Sequence, residues 1–168
     1  YCGKSKTFYI STSRGCYANC TYCITPIVNK NKWRALTAER TIELIQKSMN
    51  NFDINHIIFI DDNFFVNKER VIDIANFLKT NLNLTWMALG RINDLDAFYN
   101  NDFKILEASG CTWIHMDVNN GSLNMLKNIK KGITLQQVDN VTNKFKKTKI
   151  IPAFSFMCGF IGENNKDL

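Results

Sequence analysis

Apolar residues along this chain alternate between two patterns: short runs bounded by turn-forming residues, and longer stretches in which they recur at i, i+3 and i+4. The runs at residues 7–11, 56–60, 85–89, 112–118 and 150–157 read as strands. The second of these, His56-Ile57-Ile58-Phe59-Ile60, is apolar without alternation, as expected of a strand covered on both faces. Between the runs lie helical patterns. Residues 37–50 place Ile42, Ile45 and Met49 on one face, and a segment capped by Asn67 does the same with Val71, Ile74, Ala75, Leu78 and Leu82. Phe103, Ile105, Leu106 and Ala108 belong to a third helix that stops at Gly110. Ser122 opens a short helix that ends near Gly132, and Thr134 caps another carrying Leu135, Val138, Val141 and Phe145.

Strand and helix alternating at roughly thirty-residue spacing imply parallel strands joined by right-handed crossovers, an α/β domain that is either barrel-like or doubly wound. Five such units are too few to close an eight-stranded barrel. No composition shift, linker or finer repeat divides residues 1–168, so a single domain is expected.

The length of 168 residues and a hydrophobic content of 45% suffice for one core. No apolar run approaches the roughly twenty residues of a spanning helix, and the first six residues lack the apolar stretch of an export signal. A cytoplasmic, reducing setting is therefore expected, with no membrane partner. In such a setting six cysteines point to free thiols and metal ligation instead of a disulfide framework. The net charge of +6 raises nucleic acid as a partner. It is not favoured, because Lys127, Lys130, Lys131, Lys144, Lys146, Lys147 and Lys149 read as solvated helix faces.

The chemistry concentrates in Cys16-Tyr17-Ala18-Asn19-Cys20-Thr21-Tyr22-Cys23. Thiolates spaced by three residues and then two can surround one metal centre. A fully protein-ligated 4Fe–4S cluster takes four of them, so three leave one iron open to a small molecule. Tetrahedral zinc is the rival. Its fourth ligand would have to come from Cys2, Cys111, Cys158, His56 or His115, none of which forms a second close pair. The spacing of bacterial ferredoxins is absent.

Cys-x3-Cys-x2-Cys with an aromatic residue, Tyr22, before the last cysteine resembles the signature of radical S-adenosylmethionine (SAM) enzymes. The resemblance implies that Cys16, Cys20 and Cys23 hold a 4Fe–4S cluster. It also implies that the open iron binds SAM, and that reductive cleavage gives a 5′-deoxyadenosyl radical that abstracts hydrogen from a substrate, itself unidentified. An external one-electron reductant of the flavodoxin or ferredoxin type follows. The implied fold is a partial, TIM-like (β/α)6 barrel, of which this chain would carry five units and lack the sixth.

Further matches lie where the strands end. Asp61-Asp62-Asn63-Phe64 resembles a stretch common in the cobalamin-binding group, which implies polar acceptors for the ligand's ammonium and a cobalamin held outside this chain. Arg91 suits a carboxylate, either that of the ligand or, as a surface ion pair, that of Asp94 or Asp96. Asn119-Asn120-Gly121-Ser122 aligns with the family's Glu-Ser-Gly-Ser, with an amide at Asn119 where glutamate is usual. The stretch from Met157 to Glu163 resembles the glycine-rich turn near the adenine, represented here by Gly159. The predicted cofactor-binding residues are thus Tyr22, Asp61, Asp62, Asn63, Arg91, Asn119, Asn120, Ser122 and Gly159.

Three bland readings stand beside these. Cys2, Cys111 and Cys158 suit burial as small hydrophobes, with an active-site thiol as the alternative at Cys158. His56 and His115 suit the core or the bottom of the sheet, away from the mouth. Trp33, Trp86 and Trp113 suit packing, with Trp86 placed to turn into a barrel lumen. Two functional alternatives also remain, a tRNA-modifying methylthiotransferase or elongator-type enzyme and a degenerate, zinc-binding domain without catalysis.

Overall fold

The computed structural model describes residues 6–80, 84–165 and 167. β1 (Thr7–Ile10) leads into a small hairpin, in which β2 (Ser13–Arg14) pairs antiparallel with β3 (Arg34–Ala35) around the cysteine loop and α1 (Thr25–Asn29). α2 (Ala38–Asn51) is capped by Thr37, whose hydroxyl accepts from the Arg40 amide. β4 (His56–Phe59) follows, then a single 3₁₀ turn at Phe64–Val66 and α3 (Lys68–Lys79), capped by Asn67. β5 (Thr85–Gly90), α4 (Ile92–Asp96), α5 (Asn100–Ala108) and β6 (Cys111–Asn119) come next. α6 (Leu123–Asn128), α7 (Leu135–Phe145) and β7 (Ile151–Phe156) complete the described chain. Thr134 and Gln137 form a reciprocal capping box at the start of α7.

The sheet order is β1-β4-β5-β6-β7 and every neighbouring pair is parallel, as crossover helices require. All five strands expected from the sequence are present, with ends shifted by a residue or two. Leu82 and Cys2 lie outside the described residues. The short elements β2, β3, α1 and α4 were beyond the reach of periodicity, because none is long enough to repeat an apolar pattern.

One face of the sheet carries the core. Ile57, Phe59, Trp86, Ala88, Ile114 and Met116 point toward the helices and are fully or almost fully buried. Phe59 stacks on Phe64 at 4.3 Å and meets Trp86 edge-on at 5.6 Å. Each such ring contributes about 2–3 kcal/mol by leaving water. Trp86 donates from its indole to the Ser109 carbonyl and hydroxyl, so it faces the helices and not a lumen.

The other face is the one that a closed barrel turns inward. Tyr9, Ile60, Leu89 and Ile151 are exposed on it. β4 therefore alternates buried and half-buried positions in place of the double coverage expected from its composition. Among the described residues, no helix is long and apolar enough to cross a membrane.

Candidate functional site

At the C-terminal ends of the strands a cavity of about 240 Å³ is lined by Cys16, Cys20 and Cys23 together with Tyr22, Asp62, Arg91, His115, Asp117 and Lys131. The cysteine loop reaches it because Gly15 adopts φ +86° beside the end of α1. A Cβ there would lie 2.1 Å from the Lys32 carbonyl oxygen and 2.9 Å from Asn29 Cβ, so only glycine permits the approach. The Gly15 amide donates to Asp62 Oδ2 at 2.7 Å. Farther along, the Thr21 amide donates to the Ile129 carbonyl at 3.0 Å, and Cys23 N closes a turn onto Cys20 O at 3.1 Å. The loop is thereby pinned to the ends of two different βα units.

The three thiols are free. Arg91 Nη1 lies 3.4 Å from Cys20 Sγ. Burial opposes the Arg91 charge, but the bonded Cys20 sulfur and the nearby Cys16 outweigh it and raise the guanidinium pKa. Burial also pushes the Cys16 thiol up, although the Ala18 amide and the Arg91 charge pull the other way. A metal reverses that balance, since coordination deprotonates a thiol outright.

Among the described residues, no three His, Cys, Asp or Glu side chains converge on a single ion. Three free sulfurs around a shared cavity, one of them held by a cation, suit a cluster whose ligands attach to separate irons. Cys16, Cys20 and Cys23 fit a 4Fe–4S group in donor type and number, with the cavity beside them.

The predicted residues divide into two sets. Tyr22, Asp62 and Arg91 line the cavity. Asn119 joins them through Tyr22, whose hydroxyl donates to Asn119 Oδ1 at 2.6 Å. Asn119 adopts φ +72°, a left-handed conformation that asparagine tolerates better than most side chains.

The remaining residues are committed elsewhere. Asp61 accepts from the Thr12 and Ser13 amides at 2.5 and 3.0 Å and from the Thr12 hydroxyl at 2.6 Å, so both oxygens are spent on the loop after β1. Asn63 is buried, donating to Asp94 at 2.6 Å and accepting from the Trp33 indole through its carbonyl. Asn120 donates to Glu163 at 2.6 Å and accepts from the Ser122 amide, while Ser122 donates to Asp167 at 2.5 Å. Gly159, at φ +89°, gives its amide to Glu163 and lies in the loop whose Phe160 packs on Tyr22 at 5.6 Å.

Three titratable residues outside the predicted set line the same cavity. Lys131, expected on a solvated face, is 2% exposed. Its Nζ donates to the Tyr22 hydroxyl at 3.2 Å, and among the described residues it has no ion-pair partner. Burial first, then the Arg91 charge, lowers its pKa. Lys130 and Gly132 on either side have positive φ, so Lys131 lies in an irregular turn that helical periodicity cannot place. His115 lines the mouth and not the bottom of the sheet. Its Nε2 lies 3.1 Å from the Ser155 hydroxyl, which donates to Asp117. The signal was present in the alternation of Ile114, Met116 and Val118 with Trp113, His115 and Asp117. A half-buried cation, Arg91, and a buried one, Lys131, thus face the three thiols across a cavity whose wall also carries the carboxylates of Asp62 and Asp117.

The family model of the radical SAM superfamily matches residues 10–168. An uncharacterised methyltransferase of Pyrococcus horikoshii is 32% identical over 160 residues, which cover 95% of this chain and 34% of that protein. A tRNA-2-methylthio-N(6)-dimethylallyladenosine synthase of Buchnera aphidicola is 25% identical over 180 residues, covering 98% of this chain and 40% of the synthase. The chain thus spans well under half the length of these relatives. Among solved structures, the radical SAM methyltransferase TsrM of Kitasatospora setae, with cobalamin and a 4Fe–4S cluster bound, superposes with a TM-score of 0.82 at 13% identity, over 97% of this chain and 33% of that one. The cobalamin-dependent enzyme OxsB, with cobalamin and SAM bound, gives 0.73 at 23% identity, over 88% and 23% respectively. These two likenesses show the fold, a TIM-like barrel of which the five-stranded parallel sheet is a part.

Proposed function

The chain belongs to the radical SAM superfamily, and on that premise we propose that residues 1–168 form the core of an enzyme that cleaves SAM reductively and serves methyl transfer with cobalamin. The observation that carries the proposal is the shared cavity of Cys16, Cys20 and Cys23 with two cations, half-buried Arg91 and buried Lys131. The three thiolates would hold a 4Fe–4S cluster and leave one iron for the ligand. When bound, that group supplies one electron to the sulfonium, whose carbon–sulfur bond breaks to give methionine and a 5′-deoxyadenosyl radical.

The chain's own residues bind and orient. Lys131 and Arg91 offset the thiolate charge and offer donors to a methionyl carboxylate. Asp62, exposed toward the cavity, offers an acceptor to the ammonium group. Tyr22 and Asn119 fix the third cysteine against the end of β6, and His115, Ser155 and Asp117 supply polar groups on the inward face of the sheet. The methyltransferase of P. horikoshii and TsrM support the methyl-transfer reading, and TsrM and OxsB support a cobalamin requirement. Cobalamin would then be held by protein outside these residues. The Buchnera relative supports a second reading, methylthiolation of tRNA.

Reconstitution of the full-length protein with iron and sulfide under anaerobic conditions tests the proposal. About four irons and four sulfides per chain are expected, with methionine and 5′-deoxyadenosine released from SAM on reduction by an external donor. One zinc per chain without sulfide would overturn it.

A further inference from the structure

Between Ile10 and Glu39 the chain contains no aspartate or glutamate, yet it carries Arg14, Lys30, Lys32 and Arg34. All four are exposed. Arg14 and Arg34 lie directly opposite each other in the β2–β3 ladder, a like-charge cross-strand pair that costs stability in isolation. Among the described residues, none of the four is in ion-pair contact with an acid. Both arginines border a surface hollow that also includes Asn29 at the end of α1, and Gly15 abuts Asn29 and Lys32. The four cations are therefore gathered around one end of α1.

α1 itself buries none of its residues. Ile24, Ile27 and Val28 are 65, 75 and 68% exposed and begin with the residue after Cys23. An aliphatic centre with a charged rim has the anatomy of a protein interface. Ile24, Ile27 and Val28 themselves offer no ring on which a nucleic-acid base could stack.

We propose that α1 and the Arg14, Lys30, Lys32 and Arg34 rim dock the acidic protein that delivers the electron, a small flavin or iron–sulfur carrier. This inference rests on the cluster assignment above, since its purpose is to bring a donor against the loop that holds Cys16, Cys20 and Cys23. In the transfer the carrier's reduced centre loses one electron and the cluster gains it, and no bond is made or broken. Cationic steering raises the encounter rate, and the aliphatic patch holds the complex once formed.

The test uses the full-length, anaerobically reconstituted protein and a reduced acidic flavodoxin. Stopped-flow bleaching of the cluster gives the transfer rate, and fluorescence titration gives the Kd of the complex with or without a cluster. Arg14→Glu combined with Arg34→Glu should slow transfer from flavodoxin by roughly tenfold or more at low salt, with the difference shrinking as salt rises. Reduction by dithionite should not change. Ile27→Ser, which removes the aliphatic contact and adds no charge, should weaken the complex without altering the salt dependence. Unchanged flavodoxin rates and Kd in both variants would overturn the proposal, as would a selective loss of tRNA binding. A wild-type protein that assembles no cluster would instead overturn the cluster assignment, and the Kd series would still decide the docking surface.

Discussion

The Tyr22 hydroxyl donates to Asn119 Oδ1 at 2.6 Å and accepts from Lys131 Nζ at 3.2 Å, so one phenol ties the cysteine loop both to the end of β6 and to the buried cation. Burial raises its pKa, and the charge of Cys20 adds to the effect, which keeps the phenol protonated and donating. Tyr22→Phe leaves a buried amide oxygen and a buried ammonium short of a partner. A loss of about 1–3 kcal/mol is expected, seen as a lower thermal midpoint together with weaker SAM binding in equilibrium dialysis.

Lys131→Met removes a buried cation and keeps the bulk of the side chain. The full-length variant should still assemble its iron–sulfur cluster, because no thiol is lost. Its Kd for SAM should rise by roughly 10–100-fold, the range of a lost charge-assisted hydrogen bond, and Lys131→Arg should recover part of the loss. Equal SAM affinity in wild type and Lys131→Met would remove Lys131 from the ligand site.

Gly15→Ala places a methyl group against the Lys32 carbonyl at a backbone angle that alanine avoids. The loop must shift, and the thiols with it. Iron content after reconstitution should fall well below that of wild type while far-UV circular dichroism changes little, because the strain is confined to the segment between β2 and α1.

Asp61→Asn separates a structural from a ligand-binding aspartate. Asp61 is 1% exposed and receives two amides and a hydroxyl from Thr12 and Ser13, and Thr12 in turn accepts from Arg70 at 2.5 Å. The substitution should cost about 2–3 kcal/mol of stability with little effect on SAM affinity in the fraction that remains folded. Asp62→Asn should show the reverse order of effects.

The strands were legible as short apolar runs between turn-forming residues, and the four long helices because each repeats an apolar period, most of them behind caps such as Thr37, Asn67 and Thr134. The cysteine loop was legible because thiol spacing is a local property. Lys131 was not, since its burial depends on a left-handed turn at Lys130 and on Arg91 reaching its carbonyl from another strand end. The division of labour between Asp61 and Asp62 was likewise hidden. Neighbours in sequence point to opposite sides of the loop, and only the fold decides which one meets the Thr12 amide.

Mössbauer spectroscopy of the iron-reconstituted, oxygen-free full-length protein tests the central claim most directly. The expected spectrum is that of a cubane in which one iron responds to added SAM while the other three do not, with the cubane lost in Cys20→Ala. A spectrum without cubane iron, or one whose four irons all ignore SAM, would contradict the assignment of Cys16, Cys20 and Cys23.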